Sequence, residues 1–211
     1  MSRLFLSSYF SVAADLFPSF AGTDYIGKKV VFIPTAALNE RGAFYISADR
    51  KALKKLGLIV EELEISSASY EKIKESISAA DYIFIAGGNT FFLLQELKRK
   101  GADKLIVEEI NKGKPYIGSS AGSAILSKDI GYVRFMDSPK AAPDLNGDFS
   151  SLSVIDFYIV PHYGYFFFKK AIEKTMKEFS DTLDLRLISN DQVIIVDGGS
   201  VETVTKKREN K

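Results

Sequence analysis

Positions 114–126 read Lys-Pro-Tyr-Ile-Gly-Ser-Ser-Ala-Gly-Ser-Ala-Ile-Leu: an apolar run enters a glycine- and serine-rich turn, and small helix-compatible residues leave it. Within it, Gly118-Ser119-Ser120-Ala121-Gly122 matches Gly-x-Ser-x-Gly, the pattern of a serine held on a sharp strand-to-helix turn. Spelling alone is weak, because glycine and serine at about 7% each give one chance match in roughly 0.07 of chains this long. The strand-turn-helix setting is what makes Ser120 a candidate nucleophile and the backbone N–H of Ala121, at a helix start, a candidate donor to a negative oxygen.

Working outward, short runs rich in Val, Ile and Phe alternate with stretches of helical period, the pattern of βαβ units around a mostly parallel sheet covered on both sides. Strands are predicted over Leu4–Ser7, Lys29–Ile33, Leu58–Leu63, Tyr82–Ala86, Pro115–Ser119, Phe157–Val160, Val193–Val196 and Val201–Thr205. Helices are predicted after the first strand and over Ala43–Leu56, Tyr70–Ala80, Thr90–Lys100, Leu105–Lys112 and Phe166–Phe179, the last with Lys169, Lys170, Lys174 and Lys177 on its wet side. The stretch Met136–Leu152, with two prolines, reads as a loop or flap. A single α/β domain over 1–205 is expected, with a frayed charged tail over 206–211.

Composition narrows the function. Twenty-eight Lys and Arg against 27 Asp and Glu give a net charge of +1, so no nucleic-acid partner is expected. No run approaches the roughly 20 apolar residues of a membrane span, and Met1–Phe17 lacks the pattern of a cleaved leader, so neither membrane nor export is expected and the cytoplasm is the default. Cysteine is absent, which removes disulfides, thiolate metal sites and a thiol nucleophile. The chain has one histidine, so a multi-histidine metal site is impossible; no metal and no cofactor are expected. The oligomeric expectation is a monomer or small homo-oligomer.

Two further turns fit acyl-transfer chemistry. Strand Tyr82–Ala86 ends in Gly87-Gly88-Asn89-Thr90, where Gly88 can offer a second oxyanion N–H, while Asn89 or Thr90 can cap the helix that follows. His162 follows Phe157–Pro161, at a strand end predicted to lie on the same sheet edge as Ser120. Any histidine base must be this one. The aromatic cluster Tyr165-Phe166-Phe167-Phe168 reads as a pocket wall or as core.

Gly87-Gly88-Asn89-Thr90-Phe91, Tyr116-Ile117-Gly118-Ser119-Ser120-Ala121-Gly122 and Pro161-His162-Tyr163, in this order, resemble the peptidase E (aspartyl dipeptidase) family, with cyanophycinase as a wider relative. Phe32-Ile33-Pro34-Thr35 and the final strand pair extend the resemblance over nearly the whole chain. It implies a flavodoxin-like α/β fold of the class I glutamine amidotransferase-like kind and a serine peptidase acting on small peptides. It further implies Ser120 as nucleophile, His162 as base, Gly88 and Ala121 as oxyanion donors, and Asn89 on the substrate. The family's acidic residue before the late strand falls in Ser189-Asn190-Asp191-Gln192. Asp191 is the expected partner of His162, with Asn190 and Asp137 as alternatives. Where aspartyl dipeptidases carry a longer, arginine-containing segment after the histidine, this chain has Gly164–Lys170, so preference for an N-terminal aspartate is not carried over. The rival readings are a catalytically idle relative that binds at the same edge, and an α/β-hydrolase-type esterase using Asp137 or Asp144.

Overall fold

The computed structural model of the chain describes residues 2–40 and 42–207. Nine strands are present among them: β1 (Arg3–Ser7), β2 (Lys29–Ile33), β3 (Ile59–Glu62), β4 (Tyr82–Ile85), β5 (Tyr116–Ser119), β6 (Tyr158–Val160), β7 (Leu185–Leu187), β8 (Gln192–Asp197) and β9 (Ser200–Thr205). The helices are α1 (Phe10–Ala13), α2 (Phe17–Ala21), α3 (Phe44–Lys55), α4 (Tyr70–Ala79), α5 (Thr90–Lys100), α6 (Ala102–Asn111), α7 (Ala121–Ala124) and α8 (Lys169–Phe179).

Seven strands form one sheet in the order β3-β2-β4-β5-β1-β8-β9. The first five run parallel, and β8 and β9 close one side antiparallel. Alternation along the strands assigns the two faces. Leu4, Leu6, Ile33, Ile83 and Ile85 point to one core with residues of α4, α5, α6 and α7, whereas Phe5, Phe32, Phe84 and Ile117 point to the other with residues of α1, α2 and α3. Tyr82 to Ile85 are therefore all buried, which is why that run shows no polar alternation. The sheet margins differ: β3 carries the exposed Glu61 and Glu62, and most of β9 is exposed, a composition that discourages edge pairing.

Two expectations need correction. The strand before His162, predicted to join the main sheet, pairs instead with β7 in a separate parallel two-stranded sheet. β7, Leu-Arg-Leu, is too short for a period to show and was not predicted. Lys206, assigned to a fraying tail, donates its N–H to Asp191 O at 2.8 Å and pairs with Asp15, whereas residues 208–211 lie outside the described residues. The 136–152 segment is irregular, with two short 3-10 turns, Pro139–Ala141 and Pro143–Leu145. No helix among the described residues is long and apolar enough to cross a membrane.

Register brings the parallel strand ends together. Ser7 pairs with Ser119, and Ile85 with Gly118, so the turns leaving β1, β4 and β5 stand side by side. Because β8 runs the other way and Val193 pairs with Ser7, the turn entering β8 reaches the same edge.

Candidate active site

Ser120 occupies the turn between β5 and α7 with φ 51° and ψ −108°, a strained conformation for a residue with a side chain. Its N–H donates to Ser7 O at 2.9 Å, and its carbonyl accepts from Ser123 and Ala124, so both neighbouring elements hold the turn. Gly122 permits the close approach: a Cβ there would lie 2.0 Å from Ile85 O of β4. Behind the turn, Ser119 Oγ accepts from Phe10 N at 3.2 Å. Asp49, buried on α3 and pushed up to about 6 by desolvation, accepts from Ser11 N through Oδ1.

Ser120 Oγ lies 2.9 Å from His162 Nε2, and His162 Nδ1 lies 2.9 Å from Asn190 Oδ1. An amide oxygen at Nδ1 requires the proton there, which leaves the Nε2 lone pair to accept from the Ser120 hydroxyl. His162 has φ 64°, rare for a residue with a side chain, and three bonds secure it. His162 N donates to Ser8 Oγ at 3.0 Å, Ser8 Oγ donates to Ile188 O at 2.8 Å, and Tyr163 N donates to the same Ile188 O at 3.0 Å. Phe168 stacks on the imidazole with centroids 4.5 Å apart and planes at 17°. Burial pulls the imidazole below its ordinary pKa, and the bond to Asn190 offsets part of that shift.

The turn after β4 forms another wall of the cavity. Gly88 has φ 137°, and a Cβ on it would lie 2.3 Å from both the carbon and the oxygen of the Ala36 carbonyl, so only glycine fits. Ala86 N and Asn89 N tie this turn to Ile33 O and Ala36 O, while the N–H groups of Gly88 and Ala121 have no acceptor among the described residues. Both residues line the same cavity of about 550 Å³ as Ser120 and His162. Free N–H groups beside a hydroxyl-imidazole pair can stabilise a tetrahedral oxyanion.

Asp191, the expected acid, does not reach His162. Its carboxylate folds back onto Ser189 Oγ at 2.5 Å within the turn before β8, and Asn190 faces the imidazole instead. Asn89, expected on the substrate, spends both polar atoms on the protein: Oδ1 accepts from Phe92 N at the start of α5, and Nδ2 donates to Ser138 O. Asp137 lines the cavity but accepts from Thr90 N and Oγ1 at 2.9 and 2.5 Å, not from His162. The aromatic cluster divides, with Tyr165 and Phe168 on the cavity wall and Phe166 and Phe167 about 80% exposed at its rim, not in the core. Ser8, Tyr9, Glu40, Phe44 and Tyr45, which line the cavity, carry no motif; for Ser8 the signal was its place at the end of the strand that pairs with the elbow strand. Among the described residues no group of three or more His, Asp or Glu side chains is placed to hold a metal ion.

Comparison with known proteins decides the family. Residues 2–204 match the model of peptidase family S51. The chain belongs to peptidase family S51. Among S51 relatives, it is 46% identical to an uncharacterized peptidase of Listeria innocua over 100% of this chain and 99% of that one. It is also 37% identical to peptidase E of Shewanella denitrificans over 64% of this chain and 54% of that protein. A crystal structure of a Listeria monocytogenes relative superimposes with a TM-score of 0.93 at 45% identity, covering 98% of this chain and 100% of that one. A peptidase from an acI-B1 actinobacterium shares the fold, with a TM-score of 0.71 at 20% identity over 98% of this chain and 88% of that one. S51 membership supports a peptidase and lends no support to the α/β-hydrolase esterase alternative.

Proposed function

We propose that the chain is a serine peptidase that hydrolyses short peptides through an acyl-enzyme on Ser120. The observation that carries the reading is the unbroken line Ser120 Oγ to His162 Nε2 to Asn190 Oδ1, with both contacts at 2.9 Å. His162 takes the Ser120 proton as Oγ attacks the scissile carbonyl, and the N–H groups of Gly88 and Ala121 receive the developing oxyanion. Collapse of the tetrahedral intermediate breaks the C–N bond, and His162 gives its proton to the leaving amine. Water, deprotonated by His162, then attacks the ester and releases the acid, restoring Ser120. A cavity of about 550 Å³ walled by Tyr9, Tyr45, Met136, Tyr165 and Phe168 suits a peptide of a few residues.

The test is hydrolysis of a dipeptide and tripeptide library by the purified protein and by Ser120→Ala. Turnover by the wild type and its loss in the variant are expected. A folded wild type that binds peptides without cleaving any is the idle-relative outcome and ends the proposal.

Asn190 as the third member has its own consequence. An amide fixes the tautomer but adds no negative charge, so the imidazole keeps the low pKa that burial imposes. Activity that requires neutral His162 is thus retained below the ordinary histidine range as pH falls. In Asn190→Asp the carboxylate favours the imidazolium, so the acid limb of the kcat/KM profile moves up by about one unit or more. Asp137, which burial pushes up to about 6, sits in a separate hydrogen-bond network that the substitution leaves in place. Superimposable acid limbs in the two proteins contradict this role for Asn190.

A further inference from the structure

We propose that Asp49, which lies outside the line from Ser120 to Asn190, is a positioning residue for it: its carboxylate takes the hydroxyl proton of Ser119 and so fixes the turn that presents Ser120. This rests on the serine-peptidase reading and adds a support behind the nucleophile that the reading itself does not require. Asp49 lies on α3, is 0% exposed and uses only one of its oxygens: Oδ1 accepts from Ser11 N at 2.9 Å, while Oδ2 is buried without a partner. No cation pairs with it among the described residues, since the adjacent Arg50 is turned to Glu62. Ser119 has the complementary lack. Its Oγ accepts from Phe10 N at 3.2 Å, and among the described residues its own proton has no acceptor.

A buried acceptor without a donor and a buried hydroxyl without an acceptor are each costly alone, and joining them removes both costs. Desolvation raises the Asp49 carboxyl to about 6, while Ser11 N–H and the hydroxyls of Ser119 and Ser11 act against it, so the group is largely ionised at neutral pH and able to accept. Measured bonds carry the consequence to the reacting atoms. Phe10 N and Ser11 N open α1, so Ser119 and Asp49 together anchor the turn between β1 and α1. From that turn Ser7 O accepts Ser120 N at 2.9 Å, and Ser8 Oγ accepts His162 N at 3.0 Å. The Ser120 hydroxyl and the imidazole, 2.9 Å apart, are both held by a segment that Asp49 ties down, and a misplacement of about 1 Å at such a pair costs roughly 10²-fold in rate. If Asp49 only caps α1, asparagine serves as well, because its amide oxygen accepts from Ser11 N as the carboxylate does. In the proposed role asparagine fails. Its amide nitrogen cannot accept the Ser119 proton and competes with Phe10 N for the Ser119 lone pairs.

The experiment measures the rate at which a small fluorophosphonate labels Ser120, with kcat and KM for a cleaved dipeptide, in the wild type, Asp49→Asn, Ser119→Ala and the double variant, each well below its melting temperature. Asp49→Asn is expected to lower the labelling rate and kcat together by about 10- to 100-fold, with KM within about threefold of wild type. The double variant is expected to lose no more than the more damaging single change, because both substitutions remove the same bond. If Asp49→Asn does not fold by circular dichroism, Asp49→Ser takes its place. A folded variant labelled at the wild-type rate, or losses that multiply in the double variant, overturns the proposal. So does a loss confined to KM or to the melting temperature. Labelling needs no peptide turnover, so it decides the role of Asp49 separately. A folded wild type that neither takes up the label nor cleaves any peptide instead brings down the serine-peptidase reading on which this one stands.

Discussion

His162→Ala is expected to lower kcat/KM by about 10⁴- to 10⁶-fold while leaving a folded protein, the largest effect of any single substitution outside Ser120 itself. The chain has no second imidazole, so no neighbouring base can take over. Loss of the ring removes the acceptor 2.9 Å from Ser120 Oγ, and at neutral pH an unassisted serine hydroxyl is a poor nucleophile. The backbone bonds at this position, to Ser8 Oγ and from Tyr165 N, do not involve the ring. Alanine at φ 64° carries a strain similar to that of histidine, so thermal stability is expected to fall little. Steady-state kinetics with a cleaved dipeptide and a melting curve check both halves. A variant within tenfold of wild type means that His162 is not the base.

Gly88→Ala should show the second largest effect, by a different route. The added Cβ would meet the Ala36 carbonyl at 2.3 Å, and φ 137° is a region that alanine rarely adopts, so the turn must shift. The displaced N–H leaves the proposed oxyanion position, at an expected cost of about 10²–10³ in kcat for one lost donor. Asn89 N donates to Ala36 O in the same turn, so some stability goes with it. KM is expected to change less than kcat, because the donor acts on charge that develops only in the transition state. A raised KM with kcat unchanged would place Gly88 in substrate binding and not in oxyanion stabilisation.

Much of this arrangement is legible in the sequence because local chemistry and tertiary structure agree. The run Tyr116–Gly122 contains its own explanation, a buried strand, a turn that tolerates no bulk at Gly122, and a helix start. Thr90–Lys100 is bounded as predicted, because Asn89 caps one end and Gly101 in the left-handed region ends the other. What escaped the sequence depends on contacts between distant segments. The strand before His162 is apolar enough for the main sheet, but its partner is Leu185–Leu187, too short to register as a strand. The choice of Asn190 over Asp191 is a matter of one residue's direction in a turn, which the acidic preference of the resemblance could not decide. Phe168 on the imidazole and Asp137 on Thr90 join positions whose sequence separation hides the pairing.

Ser120 as the attacking nucleophile is tested by intact-mass spectrometry after exposure to a small fluorophosphonate, which phosphonylates an activated serine with loss of fluoride. One adduct per chain on Ser120 is expected in the wild type and none in Ser120→Ala. Folded wild-type protein that cleaves peptides yet takes up no adduct, or takes it up equally after Ser120→Ala, would contradict it.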